Sequence, residues 1–169
     1  MPETAEQYRS RMYAHVGKDD PVKLLATAPK KLERLLKGVL SVKLRKRPQP
    51  EKWSISEILS HMADTELVGG FRIRLILGAP GTPITPFDQD VWVKALHYDQ
   101  RDARKALEQF RVLREANVAL LKTISTAQWK HVGMHAERGP ESVETIAKMF
   151  AGHDINHIRQ MEAILAGKR

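Results

Sequence analysis

The sequence predicts an all-α protein, a four-helix bundle with short additional helices, on three observations. Apolar residues recur at helical spacing in four long segments, helix start signals precede them, and no segment shows sustained strand alternation. A chain of 169 residues fits one domain and can bury a sizeable core. We expect residues 1–20 to form an N-terminal helical extension and residues 21–169 to form the bundle domain.

The elements follow in order. Asp20-Pro21 marks the start of a short helix. The first long helix is expected over about 27–40, with Thr27 as N-cap, Pro29 in its first turn, and Leu32, Leu35, Leu36 and Val39 as its apolar stripe. Residues 45–50 are a Pro- and Arg-rich linker. The second helix begins at a capping box, Ser54-x-x-Glu57, with Trp53 and Ile58 at the positions of a hydrophobic staple. Ile55, Ile58, Met62, Val68, Phe71 and Leu75 form its apolar face, and Gly78-Ala79-Pro80 ends it. Gly69-Gly70 in its middle costs roughly 1 kcal/mol per Gly relative to Ala, which points to close packing or a bend. After a loop at 81–87 and a short apolar piece at 91–96, Asp99 opens the third helix, striped by Ala103, Leu107, Phe110, Leu113, Asn117, Leu120 and Ile124. A loop carrying Trp129, Gly133, His135 and Gly139-Pro140 leads to the last helix, about 142–166.

Composition excludes several function classes. No apolar run approaches the roughly 18 residues of a membrane span, and the N-terminus lacks a secretory apolar segment, so a cytoplasmic address is expected. Cysteine is absent, which removes disulfides, thiolate ligands and a cysteine nucleophile. The net charge of +8 is concentrated: over 30–52, nine Lys or Arg oppose Glu33 and Glu51, leaving +7. The stretch reads as a solvated helix end and loop. Nucleic-acid contact through it is the alternative, weakened by the lack of interleaved aromatics before Trp53.

The chemistry concentrates in the last helix. Alternating steps of three and four residues give Val143, Ile146, Phe150, His153, His157, Gln160 and Ile164, a bundle seam interrupted by three polar layers. Histidines four apart share a helix face, so both rings can reach one point. Two buried imidazoles without partners are costly, and either a hydrogen-bonded core pair or a shared metal ion relieves that cost. His61 on the second helix, on the line Ile58–His61–Thr65–Val68, is the candidate third ligand. His15, His97, His131 and His135 read as surface residues, with His135 placed where it could overhang the site. The HDINH string differs from the HExxH of zinc proteases: Asp154 stands where the base would be, and the chain leaves no room for a distant third ligand.

The segments KWSISEILSHMADTE around His61 and ERGPESVETIAKMFAGHDINHIRQMEAI around His153 and His157 resemble the two carrying motifs of the DinB-like superfamily, and the resemblance covers most of the chain after about Asp20. It implies a DinB/YfiT-type bundle in which His61, His153 and His157 hold a divalent metal, Ni or Zn, with Fe or Mn as the further options. It also implies a homodimer, a dimer to which the apolar excess at 71–77 points as well. Among family members some run thiol-dependent transferase or isomerase reactions, and others are named metal-dependent hydrolases.

Three neutral ligands leave an open coordination position, which suits catalysis. The expected function is therefore a metal-dependent transferase or hydrolase acting on a small molecule, in the first case with a low-molecular-weight thiol supplied from outside. A non-catalytic metal-binding bundle is the rival. Asp64 and Gln160, each three residues beyond a histidine, are the candidates to orient the ligands, and Glu66 is the candidate base.

Overall fold

Four long helices carry the fold in the computed structural model, which describes residues 3–167. They are α2 (Pro21–Leu36), α4 (Ile55–Gly78), α6 (Ala103–Leu121) and α8 (Val143–Leu165). Short helices α1 (Ala5–Val16), α3 (Ser41–Arg45), α5 (Gln89–Ala95) and α7 (Thr126–Trp129) join or flank them, with a 3-10 turn at Tyr98–Gln100. α4 packs on α6 and α8, α2 packs on the same two helices from the other side, and α1 lies against α8.

The helix starts are set by side-chain caps. Ser54 accepts from the amide of Glu57 while the Glu57 carboxylate accepts from the amide of Ser54, the capping box expected for α4. Ser142 caps α8 with Thr145 in the same reciprocal way. At α2 the expected start at Thr27 is wrong, and the helix runs unbroken from Pro21. Asp20 accepts from the amides of Val22 and Lys23, and the Thr27 hydroxyl donates to the carbonyl of Leu24 inside the helix. Pro29 thus sits in the helix interior, where its missing N–H strips the Leu25 carbonyl of its partner. Arg114 of α6 donates to that carbonyl at 3.2 Å, a tertiary repair that the local sequence does not announce. α6 likewise starts later than expected. Asp99 lies in the 3-10 turn, and Asp102 is the cap, accepting from Arg104 and Lys105.

A small sheet accompanies the all-α bundle. β1 (Pro83–Ile84), β2 (Val132–His135) and β3 (Gly139–Ser142) form a small sheet, β1 parallel to β2 and β2 antiparallel to β3, with Ile84 opposite His135. Strands of two to four residues are too short to display an alternating pattern. The sheet leaves the fold predominantly helical and caps one flank of α4.

Two apolar clusters fill the bundle at different heights. One joins Leu32, Leu36, Leu44, Ile58, Leu59, Phe110 and Met161, and the other joins Leu25, Ile73, Ile76, Val118, Val143 and Ile146. Between them, α4, α6 and α8 each contribute buried polar residues: His61 and Glu66, Arg114 and Asn117, His153, Asp154 and His157. Close approach of the backbones maintains this layering. A Cβ at Gly152 would lie 2.1 Å from the Met12 carbonyl oxygen, so α1 seats on α8 only where α8 has no side chain. Gly69 admits the Phe150 ring and Gly70 the Asn117 side chain, which makes the Gly pair of α4 a close-packing device.

Candidate metal centre

α4 and α8 each present imidazoles into the polar layer. His153 and His157, one turn apart on α8, face His61 across the helix interface, and all three are buried at 7%, 8% and 3% exposure. His61 Nε2 lies 2.9 Å from His153 Nε2, and His157 Nε2 lies 3.1 Å from the same atom. One potential ligand atom from each of the three falls within 4.8 Å of the others. Among the described residues this is the one His/Cys/Asp/Glu cluster with such geometry.

The protonation logic of the cluster favours a cation. Gln160 Oε1 accepts from His157 Nδ1 at 2.9 Å, which places the ring proton on Nδ1 and leaves Nε2 with a lone pair. His61 Nδ1 faces the Thr65 hydroxyl at 3.5 Å and Trp53 packs beside the ring at 5.1 Å between centroids. A proton on His153 Nε2 can satisfy one neighbour and not both, so the protein-only cluster leaves a buried nitrogen without a donor. A single ion satisfies all three, and nitrogens about 2.0–2.1 Å from a common ion lie roughly 3 Å apart when adjacent, as here. Burial holds the rings neutral and ready to ligate. It pushes His61 down to about 3, with the charge of His157 adding, and His157 down to about 4 against the opposing bond from Gln160. His153 is held well below its ordinary value by burial and by its two histidine neighbours.

The other expected residues fall in different places. Gln160 is hydrogen-bonded to His157 Nδ1. Asp64 does not touch His61: it accepts from the Tyr98 hydroxyl at 2.8 Å and from Arg101 at 2.9 Å. Three residues along a helix turn the side chain away from the His61 ring nitrogen, which lies nearer Thr65 at four residues. Glu66 is held behind the centre by Arg114 at 2.8 Å and Asn117 at 2.7 Å, and it does not line the cavity beside the histidines. His135, read as a surface residue, is buried at 3% exposure and lines that cavity.

Sequence reasoning missed Arg114, the hub of the layer. Its guanidinium pairs with both oxygens of Asp154 and with Glu66, and its side chain is 2% exposed. Asp154 adjoins His153, so this pair fixes the roll of α8 at the histidine turn. Burial pushes the Asp154 carboxyl up to about 6, with Arg114 opposing. The available signal was an Arg on the α6 stripe between Phe110 and Asn117, masked by the abundance of Arg elsewhere.

A cavity of about 380 Å³ opens onto the centre, with His61 and His153 in its wall beside Phe150 and Thr65. That volume lies within the range of small-molecule sites. No helix among the described residues is long and apolar enough to cross a membrane.

Known proteins resemble this chain in sequence and share its fold. The profile of the DinB superfamily matches residues 24–161. The chain is 22% identical over 144 residues to "Putative metal-dependent hydrolase BH0277" of Halalkalibacterium halodurans, covering 85% of this chain and 84% of that protein. It is 22% identical over 142 residues to the Bacillus subtilis protein YfiT, which carries the same description, covering 83% and 80%. The solved structure of YfiT superposes with a TM-score of 0.76 at 21% identity, over 96% of this chain and 90% of that one, and its four-helix bundle topology is the fold found here. Helical layering, paired motifs and family profile agree: the chain belongs to the DinB superfamily.

Proposed function

We propose that this protein is a metal-dependent hydrolase of a small molecule, with His61, His153 and His157 holding one divalent ion, nickel or zinc. The observation that carries the reading is the cavity of about 380 Å³ with two of the three histidines in its wall. A purely structural ion would be sealed among four protein ligands, whereas three ligands beside an open cavity leave room for a substrate. The names of BH0277 and YfiT support the same reaction class.

When bound, the ion supplies Lewis acidity, which makes water acidic enough to act as a nucleophile near neutral pH. The chain's own groups prepare the site for it. Gln160 holds the His157 proton on Nδ1, burial keeps the rings unprotonated, and Arg114 of α6, paired with both Asp154 of α8 and Glu66 of α4, keeps α8 in register with α4. Phe150 narrows the apolar side of the cavity. A second reading, transfer to a low-molecular-weight thiol, draws support from the absence of cysteine, since the chain brings no thiolate to compete at the ion. We further propose a homodimer through the exposed α4 face that carries Leu67 and Phe71.

The test is a panel of small esters, amides and phosphoesters incubated with the metal-loaded protein, with and without glutathione, bacillithiol or mycothiol. Hydrolysis that is lost on chelation and in His153→Ala supports the hydrolase. Turnover only with thiol present moves the assignment to the transferase. Activity indifferent to chelator and to His153→Ala would contradict both.

A further inference from the structure

Two buried polar groups in the cavity wall are incompletely satisfied by the chain's own acceptors. The first is Arg72, on α4. It follows His61 by 11 residues, which is three helical turns, so both side chains face the same cavity. Arg72 is 8% exposed, and among the described residues it forms no ion pair within 4.0 Å. Its guanidinium donates to the Thr85 carbonyl at 2.5 Å and stands 5.5 Å from the centre of the Phe87 ring. The carboxylates nearby are engaged or solvated. Glu141 takes Arg138 through both oxygens at 2.7 and 2.9 Å, Glu3 takes Arg11 at 2.9 and 2.8 Å, and Glu137 is exposed.

The second donor is His135, at the end of β2. Its Nδ1 accepts from the backbone amides of Glu137 at 3.2 Å and Arg138 at 3.3 Å. The ring proton is therefore on Nε2, and among the described residues Nε2 is buried with no hydrogen-bond partner. Burial, with Arg138 and then Arg72 adding against Glu141, holds this ring below its ordinary value, so it stays a neutral donor. A buried guanidinium with one carbonyl acceptor and a buried N–H with none both cost free energy unless a further acceptor is supplied. An oxyanion satisfies both, since a guanidinium offers a planar pair of donors to carboxylate or phosphate.

We propose that Arg72 and the Nε2–H of His135 form a preformed oxyanion subsite in the cavity beside the three histidines, and that the substrate is a small molecule carrying a carboxylate or phosphate. The subsite stands on its own geometry. The word substrate rests on the hydrolase reading above. Arg72 and His135 are positioning residues: they hold the remote anion while the reacting group faces His61 and His153.

The experiment uses chelator-treated full-length protein at fixed ionic strength, titrated separately with acetate and with inorganic phosphate. The readout is the imidazole 15N–1H correlation of His135. A saturable shift with either anion is expected, and which anion saturates at lower concentration identifies the carboxylate or phosphate source. Arg72→Gln should weaken the binding about tenfold or more, the loss expected for a charge-assisted hydrogen bond. Arg72→Lys, which keeps the charge without the planar fork, should retain part of it. Uptake of one divalent ion, measured separately on reloaded protein, should be the same in Arg72→Gln as in wild type, so failure of the metal site and failure of the subsite read out separately. No saturable shift with either anion, or unaltered affinity in a folded Arg72→Gln, would overturn the proposal.

Discussion

Arg114 should be the most costly single side chain to remove outside the apolar clusters. Replacing it with Met keeps much of the volume and deletes the guanidinium. Four contacts go at once: one to the Leu25 carbonyl left bare by Pro29, two to Asp154 and one to Glu66. Both carboxylates are 4% exposed, so water cannot replace the cation without opening the bundle. Breaking a buried ion pair from one side costs about 3–5 kcal/mol, a large share of the roughly 5–15 kcal/mol that holds a domain folded. Urea unfolding of the chelated protein measures the loss without a contribution from metal. The triple variant Arg114→Met/Glu66→Gln/Asp154→Asn should recover a substantial part of it, because no buried charge is then left unpaired. A loss under about 1 kcal/mol in the single variant, or a triple variant no better than the single, would refute the role assigned to this layer.

Three further outcomes are expected. Gly152→Ala places a methyl against the Met12 carbonyl and should cost about 1–3 kcal/mol by forcing α1 off α8, measurable as a lowered urea midpoint and faster proteolysis at residues 5–16. In the metal-free protein, stability should fall as pH drops from about 6.5 toward 4. Native His61 at about 3 and His157 at about 4 refuse the protons that the unfolded chain takes up, at about 1.4 kcal/mol per unit of pKa difference, and the slope should flatten in His61→Leu/His157→Leu. Light scattering should report a two-chain particle that Phe71→Glu dissociates, whereas a particle of one chain's 19.2 kDa at high concentration would contradict the dimer.

What could be read from the sequence was local or periodic. The α4 capping box needs four residues, and the α8 seam is visible as His153, His157 and Gln160 in an apolar frame, so both helices and the histidine face are legible without coordinates. What could not be read depends on long-range partners. α2 continues through Thr27 and Pro29 because Arg114, 89 residues away from Leu25, repairs the gap in its hydrogen bonding. The sheet has strands of two to four residues whose pairing is set by β1 meeting β2 across the chain, Pro83 opposite Met134 and Ile84 opposite His135. His135 looked like a loop residue because the hairpin that buries its ring leaves no periodic trace. Asp64 was assigned to His61 on spacing alone, yet Tyr98 and Arg101 approach it from a separate turn.

The most direct measurement is elemental analysis of the purified full-length protein beside His153→Ala, each assayed again after dialysis against nickel or zinc and removal of loose metal. The account predicts one divalent ion per chain in the wild type, and little in a variant that loses the nitrogen lying within 2.9 and 3.1 Å of its two neighbours. Wild-type protein that neither carries nor takes up a divalent ion, or a folded His153→Ala that retains the wild-type stoichiometry, would contradict it.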